Sequence, residues 1–180
     1  MESPEALWTR VLWDQFGAAI DMLANAIRVC PDELWTHTAP GGPPAPFWRM
    51  AYHTLFYLDM YLSEEPAGFA PPPPFDRALR RLEPDQPQGD RPYTKAELLG
   101  HLEHCYGKCL AAVRGTVGEG ARQPCGLSWL PVARAELHIY NLRHVQHHAA
   151  QLNLLLRQAG VEPPDWVSVG GRPFDGEARP

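Results

Sequence analysis

The sequence predicts an all-α protein, a four-helix bundle with a long crossover between its second and third helices. Three observations carry this. Four long segments place apolar residues at helical intervals, dense proline and glycine runs separate them, and no stretch alternates with period two for long enough to form a sheet. The 180 residues suit one ordinary domain with a single core. The expected division is a bundle over residues 1–160 and a Pro/Gly-rich tail over 161–180.

The first helix is expected over about residues 4 to 29. Ser3-Pro4 reads as an N-cap followed by proline at the first helical position, where its missing N–H costs nothing. Leu7, Val11, Phe16, Ile20, Leu23 and Ile27 then return on one face until Cys30-Pro31. Residues 39–46, Ala-Pro-Gly-Gly-Pro-Pro-Ala-Pro, lack donors and predict a loop. Phe47 to Leu62 has no breaker and many apolar and aromatic residues, which predicts the second helix.

Pro66 to Pro92 holds eight prolines, four of them consecutive at Pro71 to Pro74, with only a short helical turn expected around Phe75 to Leu82. An extended residue spans about 3.3 Å and a helical one about 1.5 Å, so this connection can return along the whole bundle and leave the helices it joins parallel. Thr94-Lys95-Ala96-Glu97 is a capping box that starts the third helix, continued by Leu98, Leu102, Cys105, Cys109 and Val113 to about Val117. Gly118, Gly120, Pro124 and Gly126 predict the next loop. The fourth helix is expected from about Val132 to Gln158, closed by Gly160. The tail is expected to pack on the bundle or to be partly mobile, and Trp166, Val167 and Phe174 are the residues able to pack on the body.

Charge and cysteine content exclude several classes. Sixteen Lys and Arg against 21 Asp and Glu leave a net charge of −5, the wrong sign for a general nucleic-acid binder. Glu2, Glu5, Arg10, Asp14, Asp21 and Arg28 interrupt every early apolar run well short of the roughly 20 residues of a membrane span. Cys30, Cys105, Cys109 and Cys125 contain no C-x-x-C and fit reduced thiols. The expectation is a soluble cytoplasmic protein with a small-molecule substrate, and with neither nucleic acid nor membrane as partner.

Chemistry is expected at the histidines, four of which lie between His138 and His148. His144 and His148 stand four apart on the fourth helix, about 40° apart in direction and about 6 Å in rise, so both imidazoles can point at one spot. Leu137, Asn141, Leu152 and Leu155 continue the same stripe, which is mostly core-facing. Two histidines turned into a bundle interior must be desolvated without charge unless something binds them. A third ligand has to come from another helix, and the second offers His53 in an otherwise largely apolar run. Three neutral imidazoles suit zinc, nickel or iron and leave a coordination position open. Val145 stands where an H-E-x-x-H metalloprotease helix has its glutamate, which excludes that mechanism. His147 falls on the flank of this stripe. A rival cluster, His101, Cys105 and Cys109, shares one face of the third helix, although buried cysteines there also serve as small core residues. The aromatics Trp48, Tyr52, Phe56 and Tyr57 read mostly as core, and a tyrosine hydroxyl near a metal can orient a substrate.

The segment Phe47-Trp48-Arg49-Met50-Ala51-Tyr52-His53-Thr54-Leu55-Phe56 is followed some ninety residues later by Asn141-Leu142-Arg143-His144-Val145-Gln146-His147-His148-Ala149-Ala150-Gln151-Leu152. Together they resemble the DinB/YfiT-like superfamily, over the chain from the first helix to the end of the fourth. The resemblance implies a four-helix bundle with a crossover after the second helix, frequent homodimers, and a divalent metal held by His53, His144 and His148. Gln151 matches the family's glutamine after the histidine pair and is expected beside the ligands. Members often carry Arg-Gly where this chain has Ala149-Ala150.

Characterised relatives include transferases and isomerases that use low-molecular-weight thiols. The resemblance therefore implies a metal-dependent enzyme, a thiol S-transferase acting on a small electrophile with zinc or nickel, or iron, and a thiol co-substrate; activation of water would make it a hydrolase. The alternative is a non-catalytic dimerising or ligand-binding bundle with a structural or vestigial metal. No catalytic base is assigned, and Tyr52, Tyr57 and Asp59 are the nearby candidates. Tyr52, Tyr57, Asn141, His147 and Gln151 are the residues expected around the metal.

Overall fold

The computed structural model describes residues 2–37, 45–83, 89 and 91–174. Among the described residues six α-helices follow one another: α1 (Pro4–Val29), α2 (Asp32–Trp35), α3 (Phe47–Tyr61), α4 (Lys95–Gly115), α5 (Gly118–Arg122) and α6 (Arg134–Gln158). Two 3₁₀ turns, Pro66–Gly68 and Arg77–Arg80, lie between α3 and α4. Among the described residues the fold is all-α, with one isolated β-bridge between Pro124 and Ala133.

Local chemistry sets the helix ends. Ser3 Oγ accepts from the Ala6 N–H at 3.1 Å and Pro4 opens α1. At α4, Thr94 Oγ1 accepts from the Glu97 N–H, and a Glu97 carboxylate oxygen accepts from the Thr94 N–H at 2.8 Å. Gly160, at φ +76°, takes the left-handed conformation just past α6.

Four features depart from the sequence reading. The short α2 was absent from it; Pro31 precedes an acidic first turn, and Trp35 is buried with its indole N–H on the Tyr93 carbonyl at 2.8 Å. The third predicted helix stops at Gly115, because the Thr116 hydroxyl turns back to the Ala112 carbonyl and Val117 is extended. The glycines after it carry a short helix, α5, where a loop was expected. The last helix begins at Arg134, two residues late, because the Val132 carbonyl and the Arg134 N–H pair with Cys125 and Gln123. Of the loop expected over 39–46, residues 39–44 lie outside the described residues, as do 84–88 and 90 of the connection and 175–180 of the tail.

The bundle packs α1 against α4 and α6, and α3 against the same two helices. Trp13, Phe16, Ile20 and Ile27 of α1 meet Leu55 and Phe56 of α3, Cys105 and Tyr106 of α4, and Val145 and Leu152 of α6 in one buried cluster. Contacts between α3 and α6 run in opposite senses: His53 meets His148, Leu58 meets Asn141, and Tyr61 meets Tyr140. Between the Tyr93-to-α4 segment and α3 they run in the same sense, from Trp48 with Tyr93 to Ser63 with Lys108.

Residues 161–174 lie along α1 and α4. The Gly170 N–H donates to the Asp14 carbonyl at 2.9 Å, and Trp13 Nε1 donates to the Arg172 carbonyl at 2.8 Å. A Cβ on Gly170 would sit 2.8 Å from the Gly17 backbone, so this crossing requires glycine. Val167 and Phe174 pack on the core, whereas Trp166 stays 70% exposed.

Candidate metal centre

His53, one turn and a half into α3, faces His144 and His148 on α6. Its Nε2 lies 3.1 Å from His148 Nε2 and 3.3 Å from His144 Nε2. One ligand atom from each residue lies within 4.8 Å of the others. The i, i+4 spacing on α6 aligns two rings by helical geometry alone. The third arrives because α3 and α6 are antiparallel neighbours.

Outer hydrogen bonds fix the tautomers. His53 Nδ1 is 2.6 Å from the Arg80 carbonyl, which can only accept, so this nitrogen carries the proton. His148 Nδ1 is 2.7 Å from the Gln151 amide oxygen and is a donor for the same reason. The two Nε2 atoms that face each other therefore both present lone pairs in the neutral rings.

Protonation does not relieve this contact near neutral pH. Burial pushes His53 down to about 4, against the Arg80 carbonyl that favours its charged form. Burial and then the neighbouring His53 push His148 down to about 4. Burial, followed by the other imidazoles, takes His144 to about 2. Two lone pairs facing each other at 3.1 Å with no proton between them, and His144 Nε2 3.3 Å from the same His53 atom, fit a bound cation. Zinc–nitrogen bonds of about 2.0–2.1 Å in a tetrahedron put neighbouring nitrogens about 3.3–3.4 Å apart, so the spacing also fits.

The surrounding residues expected from sequence divide. Gln151 accepts from His148, and the Tyr57 ring packs 4.9 Å from His53 and 5.5 Å from His144. His147 is exposed with its ring 5.1 Å from His148. Asn141 is buried one turn before His144 and donates to the Leu58 carbonyl at 3.1 Å, tying α6 to α3. Tyr52 turns the other way: its hydroxyl donates to the Asp76 carbonyl at 2.8 Å and its ring stacks on Phe75, so it braces the segment that follows α3. Sequence reasoning missed Arg80 and Tyr61, whose ring lies 6.0 Å from His144. A backbone carbonyl leaves no sequence signal, but Tyr61 falls four residues after Tyr57 on α3.

Asp59 is not beside this centre either. It joins His101 and Cys105 in a second, fully buried group whose potential ligand atoms also lie within 4.8 Å of one another. Cys109, expected with these two on one face, is replaced in the group by Asp59 from α3. The carboxylate is already saturated: Oδ2 accepts from His101 Nε2 at 2.8 Å and Oδ1 from Lys108 Nζ at 2.5 Å. Burial pushes Asp59 up, but hydrogen bonds from His101 and Lys108 and their charges outweigh it and hold the carboxyl below its ordinary value. Burial raises the Cys105 and Cys109 thiols, which makes them poor thiolates. The ammonium of Lys108 thus supplies the cation at Asp59.

A family model of the DinB superfamily matches residues 15–152, from the middle of α1 through both histidine-bearing helices. The chain belongs to the DinB superfamily. No curated protein matches it. The DinB bundle here carries two groups of residues able to ligate a metal, His53/His144/His148 and Asp59/His101/Cys105. Only in the first do two proton-free ring nitrogens face each other; in the second, Asp59 already accepts from His101 and Lys108. Among the described residues no helix is long and apolar enough to cross a membrane.

Proposed function

We propose that this DinB protein is a divalent-metal-dependent enzyme that joins a low-molecular-weight thiol to a small electrophile, with His53, His144 and His148 holding the metal. The observation that supports it is the pair of proton-free Nε2 atoms 3.1 Å apart, with His144 Nε2 at 3.3 Å from the same His53 nitrogen. Three nitrogen donors suit zinc or nickel first and iron(II) next, and they leave a coordination position for substrate. When bound, such an ion lowers the pKa of a thiol in that position and holds it as thiolate. Attack by that sulfur on an electrophilic carbon would break the bond to its leaving group or its π bond, and the thiol proton would pass to solvent or to the departing or newly formed anion.

The protein's own part is positioning. The Arg80 carbonyl and Gln151 hold two imidazoles in the ligating tautomer. Tyr57 and Tyr61 wall the site on the His144 side, and the 56% exposed Trp129 extends that wall outward, its ring 6.3 Å from Tyr61. An apolar electrophile has a surface to lie on there. The protein acts, in this reading, on small molecules in the cytoplasm as a homodimer, and not on nucleic acid or membranes.

Metal analysis and turnover assays on wild type and His148→Ala test the proposal. About one divalent ion per wild-type chain, lost in the variant, with thiol consumption that follows metal content, is the expected result. Equal metal content in the two proteins refutes the ligand set. Metal held without turnover of any thiol and electrophile pair assigns the ion a structural role instead.

A further inference from the structure

A cavity of about 530 Å³ opens at the other end of the α3–α6 pair, between the ends of α3 and α4, α5 and the first turns of α6. Small-molecule sites have this size. Tyr61 is a wall common to the cavity and the histidine cluster, but His138, which lines the cavity, precedes His144 by six residues, about 9 Å along the helix. The two places are separate.

Ala112, Gly115 and Leu137 give the cavity an apolar floor. Lys108 also lines it, but all three ammonium donors are spent, on the Asp59 carboxylate, the Asp59 carbonyl and Ser63 Oγ. Arg134 is different. One guanidinium nitrogen donates to the Glu64 carbonyl at 2.7 Å, and no described carboxylate forms an ion pair with it, so most of its five N–H donors remain for a ligand.

Arg134 is also the first residue of the 25-residue α6, whose N-cap, Ala133, offers no side-chain acceptor. The Arg134 N–H is held by the Gln123 carbonyl at 2.9 Å, and no side chain caps the N–H groups that follow it beside the guanidinium. Glu136, the acid of the first turn, is exposed and does not line the cavity; Glu64 does line it, and it meets Arg134 through its backbone carbonyl.

One turn on, His138 is only 5% exposed. The Thr116 hydroxyl gives its proton to the Ala112 carbonyl at 2.8 Å and so must accept from His138 Nε2, also at 2.8 Å. His138 Nδ1 is left with a lone pair and has no partner. Burial, and then the charge of Arg134, keep the ring neutral, with its pKa pushed down to about 4. A cationic fork and a neutral acceptor thus stand four residues apart on one helix face, over an apolar floor.

We propose that this cavity binds a small organic acid bearing a hydrogen-bond donor next to its carboxylate, the carboxylate on Arg134 and the α6 N-terminus and the donor toward His138 Nδ1. A 2-hydroxy acid is the simplest such ligand. The inference is independent of the metal reading.

Calorimetric titration with 2-hydroxybutyrate, butyrate and inorganic phosphate, on wild type, Arg134→Gln, Arg134→Lys and His53→Ala, tests it. Saturable binding of 2-hydroxybutyrate, tighter than that of butyrate or phosphate, at least tenfold weaker in Arg134→Gln, partly kept in Arg134→Lys and unchanged in His53→Ala, is the expected result. If Arg134→Gln does not fold, wild-type imidazole resonances decide: those of His138 should move on titration while those of His53 stay. Equal affinity in Arg134→Gln, equal binding of butyrate, tighter binding of phosphate, or loss in a folded His53→Ala each overturns the assignment. So does the absence of saturable binding by 2-hydroxybutyrate.

Discussion

Gln151→Leu is the most informative single change at the proposed metal centre, because it keeps all three imidazoles and removes only what orients one of them. The His148 Nδ1–H to Gln151 Oε1 bond is 2.7 Å long and half-buried. Its loss frees His148 to adopt the other tautomer or swing out, and leaves a shielded N–H without an acceptor, which costs about 1–3 kcal/mol. Removing such a partner of a ligating histidine lowers metal affinity about 10- to 100-fold, or about 1.4–2.7 kcal/mol. Competition for Zn²⁺ against a chromophoric chelator measures it directly. Gln151→Glu should restore or exceed wild-type affinity, because a carboxylate accepts the same proton more strongly. Thermal melts of the metal-free proteins should show that Gln151→Leu stays folded. Equal zinc affinity in wild type and a folded Gln151→Leu would refute the reasoning, since His148 would then need no partner to be held.

Two further predictions concern stability. Lys108→Met removes the cation on buried Asp59 and should destabilise the fold by about 3 kcal/mol in urea titrations, the lower end of the cost of breaking a buried pair; Lys108→Met with Asp59→Asn should recover part of this, and a single variant as stable as wild type contradicts the pairing. For pH, the folded pKa of His138, about 4, lies below the ordinary 6.5, so its contribution is present in full above pH 6.5 and is lost as pH falls toward 4. Over that window it amounts to at most about 3 kcal/mol; the metal-free protein should show an acid-side fall in unfolding free energy, to which the other buried histidines add, and His138→Gln should reduce that fall by up to this amount. A stability flat from pH 7 to 4.5, or the same fall in both proteins, would contradict this.

The helix ends with strong local chemistry were legible. Ser3-Pro4 and the Thr94–Glu97 box start α1 and α4 at the residues read from sequence, because a cap is decided within four positions. The starts and ends governed by distant partners were not. Val132 cannot join α6 while its carbonyl is held by the Cys125 N–H, and nothing near Val132 announces that bond. Tyr52 looked as close to His53 as Tyr57 does, yet one points to Asp76 and Phe75 and the other to the imidazoles. Adjacent residues on a helix diverge by about 100°, and which side faces which neighbour depends on the packing of the whole bundle.

By itself the sequence determined the all-α class, the family and the pairing of His144 with His148, since helical periodicity and an i, i+4 spacing are properties of one segment. Only the tertiary structure decided that His53 Nε2 meets that pair at 3.1–3.3 Å, that Arg80 and Gln151 set the proton positions, and that Asp59 belongs with Lys108 and His101. Apart from the Gln151–His148 bond, which joins residues three apart on α6, those are contacts between α3 and residues 27 to 95 positions away, and their geometry follows from how the helices pack, which no local pattern encodes.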